Sequence, residues 1–184
     1  GITGRACERF LGRKPDLVTP NGFDEKLIPD RKALNRDRIE GRKCLIDVAK
    51  AILNQDVSDE SLLLVTSGRY EFRNKGIDLF IKSLGNLNRE NKLKKPVLAF
   101  IMIPAHHYGP VAGLAERIGN PDFSAPTSGK YLTHGLFDHG DDIILKTIKE
   151  NGLNNSPQDN VKVFFVPSYL TGDDGILNID YYDL

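Results

Sequence analysis

The apolar residues of this chain change their period several times, and each change marks an element. S-L-L-L-V-T-S at 61–67, V-L-A-F-I-M-I at 97–103 and V-K-V-F-F-V at 161–166 are apolar in long runs without regular alternation. Such runs are strands covered on both faces, as in a parallel sheet with helices on either side. Between the first two, I-D-L-F-I-K-S-L-G-N-L at 77–87 places Ile77, Phe80, Ile81, Leu84 and Leu87 on one helical face. Strand, helix, strand predicts a right-handed parallel crossover. A further helix is expected over about 138–151, with Asp138, Asp141 and Asp142 near its positive N-terminus. The third strand then follows and stops at Pro167. The expected fold class is α/β: a Rossmann-like parallel sheet with helices on both faces, half of a doubly wound domain.

The flanking stretches are less regular. T-G-R-A-C-E-R-F-L-G at 3–12 predicts a helix with Ala6, Phe10 and Leu11 on one face. D-L-V-T at 16–19 predicts a very short strand, ended by the turn signal P-N-G-F-D at 20–24. Residues 33–54 carry Leu34, Ile39, Cys44, Leu45, Val48, Ala49, Ile52 and Leu53, which predicts a helix or a helix pair. The segment 104–136, rich in Pro, Gly, His and Ser, predicts a long loop with a short helix inside it.

Charge narrows the function. The 184 residues suit one domain, or one and a fraction, and 25 basic side chains balance 25 acidic ones. No general field exists to hold a nucleic acid or an anionic membrane, so any anion site is local. The basic run at 31–43 is interleaved with acids and lacks aromatics, which makes it a solvated helical face. Cys7 and Cys44 have neither metal spacing nor enough company for a disulfide scaffold, and read as small core residues. No apolar run approaches the roughly 20 residues of a membrane span, and no signal peptide opens the chain. A soluble, cytoplasmic protein is expected. A start at Gly1 and an end at D-Y-Y-D-L read as a piece of something longer.

The candidate chemistry lies at 66–78, T-S-G-R-Y-E-F-R-N-K-G-I-D. A strand-to-helix connection needs only a few residues and a cap. This one carries Arg69, Arg73 and Lys75 between Gly68 and Gly76. In open parallel sheets ligands bind beyond the carboxyl ends of the strands, where this stretch falls. Backbone N–H groups near Gly68, the helix end after Gly76, and the Arg69 and Lys75 cations together suit a diphosphate. The plainer reading, solvated charges paired with Glu71 and Asp78, is outweighed by the two glycines and the position. His106, His107, His134 and His139 with Asp138 offer metal-ligand types, but loop packing is the better reading. Asn21 is first of all a turn former, and no G-x-G-x-x-G follows any strand, against a dinucleotide dehydrogenase.

G-R-Y-E-F-R-N-K-G-I-D-L-F-I at 68–81 resembles the signature of the animal and fungal glycogen synthases, glycosyltransferase family 3. R-K-P-D-L-V-T-P-N-G at 13–22, L-A-F-I-M-I-P-A at 98–105, D-D-I-I-L-K-T-I at 141–148 and L-N-N-S-P-Q-D-N-V-K-V-F-F-V-P at 153–167 follow in the family's order. The resemblance implies the GT-B arrangement of two facing Rossmann-like domains. Residues 1–22 would end the first domain, 23–60 form a helical inter-domain segment, and 61–184 begin the C-terminal, donor-nucleotide-binding domain. It implies retaining transfer of glucose from UDP-glucose to the non-reducing end of an α-1,4-glucan, with no metal or other cofactor. Arg69 and Lys75 match the donor-phosphate pair and are the implied catalytic residues, with Gly68 beside them at the substrate. Tyr169 and Tyr181 match aromatics that enclose the uracil.

The chain also departs from the family. Where the family has H-P-E-F-L, this chain has V-P-S-Y-L, so Val166 replaces a histidine and Ser168 an acid. Another donor such as ADP-glucose, another acceptor, or a non-catalytic sugar-nucleotide or glucan-binding module are the alternatives. The short 106–135 segment suggests a compact, bacterial-type member and leaves a homo-oligomer open. The reaction-centre carboxylate motif is expected after residue 184 and the acceptor-side glycine loop before residue 1. On this reading the chain supplies one wall of a site and is inactive by itself.

Overall fold

Val97–Met102 (β2) is an unbroken apolar strand, and all six of its residues are buried. Alternating side chains divide it between two layers. Val97, Ala99 and Ile101 pack with Ile77, Ile81 and Leu84 of Ile77–Glu90 (α3) and with Ile144, Leu145 and Ile148 of Ile143–Glu150 (α5). Leu98, Phe100 and Met102 pack with Leu45, Val48, Ala49 and Ile52 of Arg31–Leu53 (α2). Two apolar faces on one strand therefore require helices above and below it, as the runs predict. The computed structural model of the protein describes residues 2–19, 22, 30–120 and 130–180.

The sheet is parallel, with Leu62–Ser67 (β1), β2 and Val161–Val166 (β5) in that spatial order. Leu63 is in register with Leu98, and Phe100 with Phe164. β5 is as buried as β2. Its one polar residue, Lys162, is 4% exposed and donates to the Ser156 carbonyl, and burial lowers its pKa. The outer edge of β5 is closed by side chain and loop: Asn155 exchanges two 2.8 Å hydrogen bonds with Val163, and Phe165 N–H donates to Tyr131 O at 2.7 Å. β1 differs from the expectation of a strand buried on both faces. It pairs on one side only among the described residues, and Leu62 and Val65 are 52% and 43% exposed. An apolar run specifies a strand; it does not say whether the strand lies at the centre or the edge.

Residues Lys32–Leu184 form one compact unit, in which α2 packs against the sheet as a single helix. The segment 104–136 holds more than a loop. His107–Pro110 (β3) pairs antiparallel with His134–Leu136 (β4), with an irregularity between His107 and Pro110, and Leu114–Arg117 (α4) lies between them. Strands this short, joined across more than twenty residues, leave no periodic trace in the sequence. α5 begins five residues later than the expected 138. Asp142 is its N-cap, accepting from Leu145 N–H at 2.8 Å. Among the described residues no helix is long and apolar enough to cross a membrane.

Residues Gly1–Arg31 are a separate compact unit. Ile2–Leu11 (α1) matches the predicted helix and ends at Gly12, whose φ of 69° and bond to Glu8 O close it. Residues 16–19 are not a strand: they have no ladder partner among the described residues, and Val18 instead packs beside Gly4. The turn at 20–24 lies, apart from Gly22, outside the described residues.

α3 crosses α5 closely at Gly85. A Cβ there would stand 2.8 Å from the Asn151 carbonyl oxygen. In an open helix Gly→Ala gains about 0.5–1 kcal/mol. Here the backbone contact outweighs that gain, and Gly85→Ala is expected to destabilise by about 1–3 kcal/mol, read as a lower urea midpoint at unchanged slope.

Candidate functional site

The carboxyl ends of all three strands open into one cavity. Ser67 ends β1 and Gly68 follows it, Met102 ends β2 and Pro104 lies just beyond it, and Ser168 to Thr171 follow β5; with Arg69 and Tyr70 they line a space of about 480 Å³. Gly68 adopts φ 147°, a conformation that favours glycine, and turns the chain out of β1 so that Arg69 reaches the cavity wall. Tyr169 stands on the opposite side, 72% exposed.

The predicted residues are thus partly assembled. Gly68, Arg69 and Tyr169 line the cavity. Lys75 lies exposed on the turn before α3 and is not among the lining residues. Tyr181 falls outside the described residues. The end of α3 also differs from the expectation of open donors. Lys75 N–H bonds Glu71 O at 2.9 Å, Gly76 N–H bonds Arg73 O at 3.0 Å, and Ile77 N–H bonds Phe72 O at 3.0 Å. Residues 71–76 therefore form a turn whose Phe72 carbonyl takes up the first donors of α3, Ile77 N–H at 3.0 Å and Asp78 N–H at 3.4 Å. Gly76, at φ 67°, is the joint between turn and helix.

Tyr70 was not singled out by the sequence, although it adjoins Arg69. It lines this cavity and a larger neighbouring one, and its hydroxyl donates to Asp142 Oδ2 at 2.5 Å. Burial and that bond push its phenol pKa up, so it remains a donor. Asp142 thereby caps α5 with one oxygen and holds Tyr70 with the other.

A second missed group fixes the loop after β5. Asp174 Oδ1 accepts from the N–H groups of Ile176 and Leu177 at 2.7 Å and of Asn178 at 3.2 Å, while Ser168 Oγ donates to its Oδ2 at 3.4 Å. His134, 1% exposed, bonds the Asp174 carbonyl through Nε2 at 2.9 Å. A carbonyl only accepts, so Nε2 carries the proton and Nδ1 accepts from Thr133 Oγ1, also at 2.9 Å. Ser168 ties the cavity loop to this cluster. Val166 is fully buried beneath α2, which explains an apolar residue there.

The other candidates have structural places. His107 lies edge-on to His134, with centroids 4.9 Å apart, and burial lowers its pKa. Among the described residues no three His, Cys, Asp or Glu are grouped to hold a metal ion. Cys44 donates to Leu177 O at 3.3 Å, and burial pushes its thiol up to about 11, which leaves no reactive thiolate. On α2, Arg42 donates to Ser61 O at 2.7 Å and Lys43 pairs with Asp47 at 2.7 Å, so part of the basic run serves the fold.

A parallel sheet with helices on both faces and a cavity at its carboxyl ends defines an α/β chain of the Rossmann-like class. A family model described as glycogen synthase matches residues 1–110 and 126–184, and the chain belongs to that family. It is 28% identical to the glycogen (starch) synthase of Neurospora crassa across 99% of its own length and 34% of that protein's. With the liver glycogen (starch) synthase of Mus musculus the identity is 29%, across 98% of this chain and 33% of the relative. With isoform 2 of Saccharomyces cerevisiae it is 26%, across 98% and 34%. The chain spans about a third of the length of these curated relatives. The first alignment runs over 239 positions, more than the chain contains, so the relative carries inserted residues. The unmatched residues 111–125 lie in the segment expected to be short.

Proposed function

We propose that this chain supplies the donor-diphosphate wall of a retaining glucosyltransferase that moves glucose from UDP-glucose to the non-reducing end of an α-1,4-glucan. One observation carries the reading: Gly68 and Arg69 of the family's signature line a cavity at the strand ends, with Tyr169 across from them. In it the guanidinium of Arg69 meets the diphosphate in a fork of two hydrogen bonds, and Lys75 adds a compact charge from the adjoining turn. As the glycosidic bond to UDP breaks, negative charge grows on the β-phosphate, and these fixed cations stabilise it in place of a metal ion. The Tyr169 ring gives the base a face, and Tyr181 is its counterpart on the same reading. The reaction-centre carboxylate and the acceptor-side loop come from outside these residues, so the chain alone binds donor without turning it over.

Titration of the chain with UDP and then ADP, followed by amide chemical shifts, tests this reading. UDP is expected to shift Gly68, Arg69, Tyr169 and Ser168 selectively, and Arg69→Ala to abolish those shifts. Equal or stronger response to ADP would instead favour an adenine-nucleotide donor. Absence of any response at millimolar UDP would sink the preformed donor wall.

A further inference from the structure

The donor reading leaves the larger cavity without a role. It encloses about 660 Å³ and shares Tyr70, Pro104 and Tyr169 with the donor cavity, so the two adjoin. Its character is different. Asp138, Asp141 and Asp142 line it, and no Lys or Arg does. A diphosphate would meet like charge there, whereas a neutral polyol would find acceptors for its hydroxyls. Asp142 is committed to α5 and Tyr70, and Asp141 pairs with Lys146 at 2.9 Å. The Asp138 carboxylate is exposed and has no side-chain partner among the described residues.

Beside this cavity the β3–β4 pair displays a shelf of rings. His106, which lines the cavity, stacks on Phe137 with centroids 4.4 Å apart and planes 29° from parallel. Tyr108 meets Phe137 edge-on at 5.4 Å. Tyr108 is 65% and Phe137 58% exposed, an unusual amount of aromatic surface to leave in water. The shelf is held in place: Phe137 N–H donates to His106 O at 3.2 Å, and Tyr108 packs against Gly135, where a Cβ would stand 2.1 Å from its ring. Flat apolar rings beside free carboxylate oxygens match the two surfaces of a glucosyl unit, its C–H face and its hydroxyl rim.

We propose that His106, Tyr108, Phe137 and Asp138 form a glucan subsite that holds neutral glucosyl rings alongside the donor cavity. This rests on the glucosyltransferase reading for the identity of the sugar. The probe is maltoheptaose, a linear α-1,4-glucan, titrated into the chain by calorimetry and by amide shifts, with UDP titrated in parallel. Maltoheptaose is expected to shift Tyr108, Gly135, Phe137 and Asp138, and Tyr108→Ala and Phe137→Ala are each expected to weaken it about tenfold, the scale of losing one stacked ring. Gly135→Ala provides a check that removes no ring. Its backbone does not need glycine, so the added methyl acts by displacing Tyr108, and it is expected to weaken the glucan while the thermal midpoint stays near that of the parent. Failure of maltoheptaose to bind, or binding unchanged in all three variants, would overturn the subsite. UDP shifts at Gly68 and Arg69 without glucan binding would overturn the subsite and leave the donor wall standing. Glucan on the shelf without UDP binding would do the reverse.

Discussion

Arg69→Ala is expected to lower the turnover of the complete transferase by about a hundredfold or more, the scale of removing one preorganised donor from a developing oxyanion. Arg69 lies just beyond β1 and lines the cavity at the strand ends, so the sheet sets its backbone position before the donor arrives. That placement is what makes the loss large: a cation that must be gathered at the moment of reaction stabilises less than one already fixed. Arg69→Lys is expected to recover only part of the rate, because an ammonium replaces the two-pronged fork with a point charge. Lys75→Ala is expected to fall on the same scale by the leaving-group argument, although its side chain lies outside the cavity lining. The measurement is glucosyl transfer under saturating donor, compared with UDP affinity in this chain. Turnover at the parental rate in Arg69→Ala would remove the leaving-group role.

The sheet was legible because β2 and β5 are buried on both faces, and burial on both faces writes itself as uninterrupted apolar sequence. α3 was legible for the opposite reason, since one buried stripe leaves a helical period. β3 and β4 were not: each is three or four residues long, and what holds them is pairing across more than twenty intervening residues. The site divides in the same way. Gly68, Arg69 and Tyr169 reach the cavity because they sit just after strands whose ends are fixed by the sheet. The donors at the start of α3 could not be assigned from sequence, because whether they stay open depends on the backbone of 71–76. Thr133, His134 and Asp174 carried no signal either. The bond from His134 to Asp174 joins residues forty positions apart, and nothing in a local pattern distinguishes a histidine that clamps a loop from one in solvent.

Phe164→Ala is expected to cost about 3–5 kcal/mol of stability, the scale of emptying a fully buried phenylalanine site. Phe164 is fully buried, and its ring stacks on that of Phe100 with centroids 4.8 Å apart, between the sheet and α2. The ring is surrounded by other fully buried side chains, among them Val48, Ile52, Leu98 and Val166, which are already packed and cannot collapse far into the space left behind. A domain of this kind has only about 5–15 kcal/mol in all, so the variant stands near its folding threshold. Urea unfolding followed by far-UV circular dichroism checks the value, with Leu62→Ala on the exposed edge strand as a control expected within about 0.5 kcal/mol of the parent. Phe100→Ala in the same background should cost less than it does alone, because its stacking partner is already gone. A loss under about 1 kcal/mol for Phe164→Ala would mean that α2 does not seal this face. The consequence reaches the site, since Phe164 lies only three residues before the Pro167–Ser168 turn that carries Tyr169 into the cavity. A chain that loses this ring is therefore also expected to bind UDP more weakly, although the ring itself does not line the donor cavity.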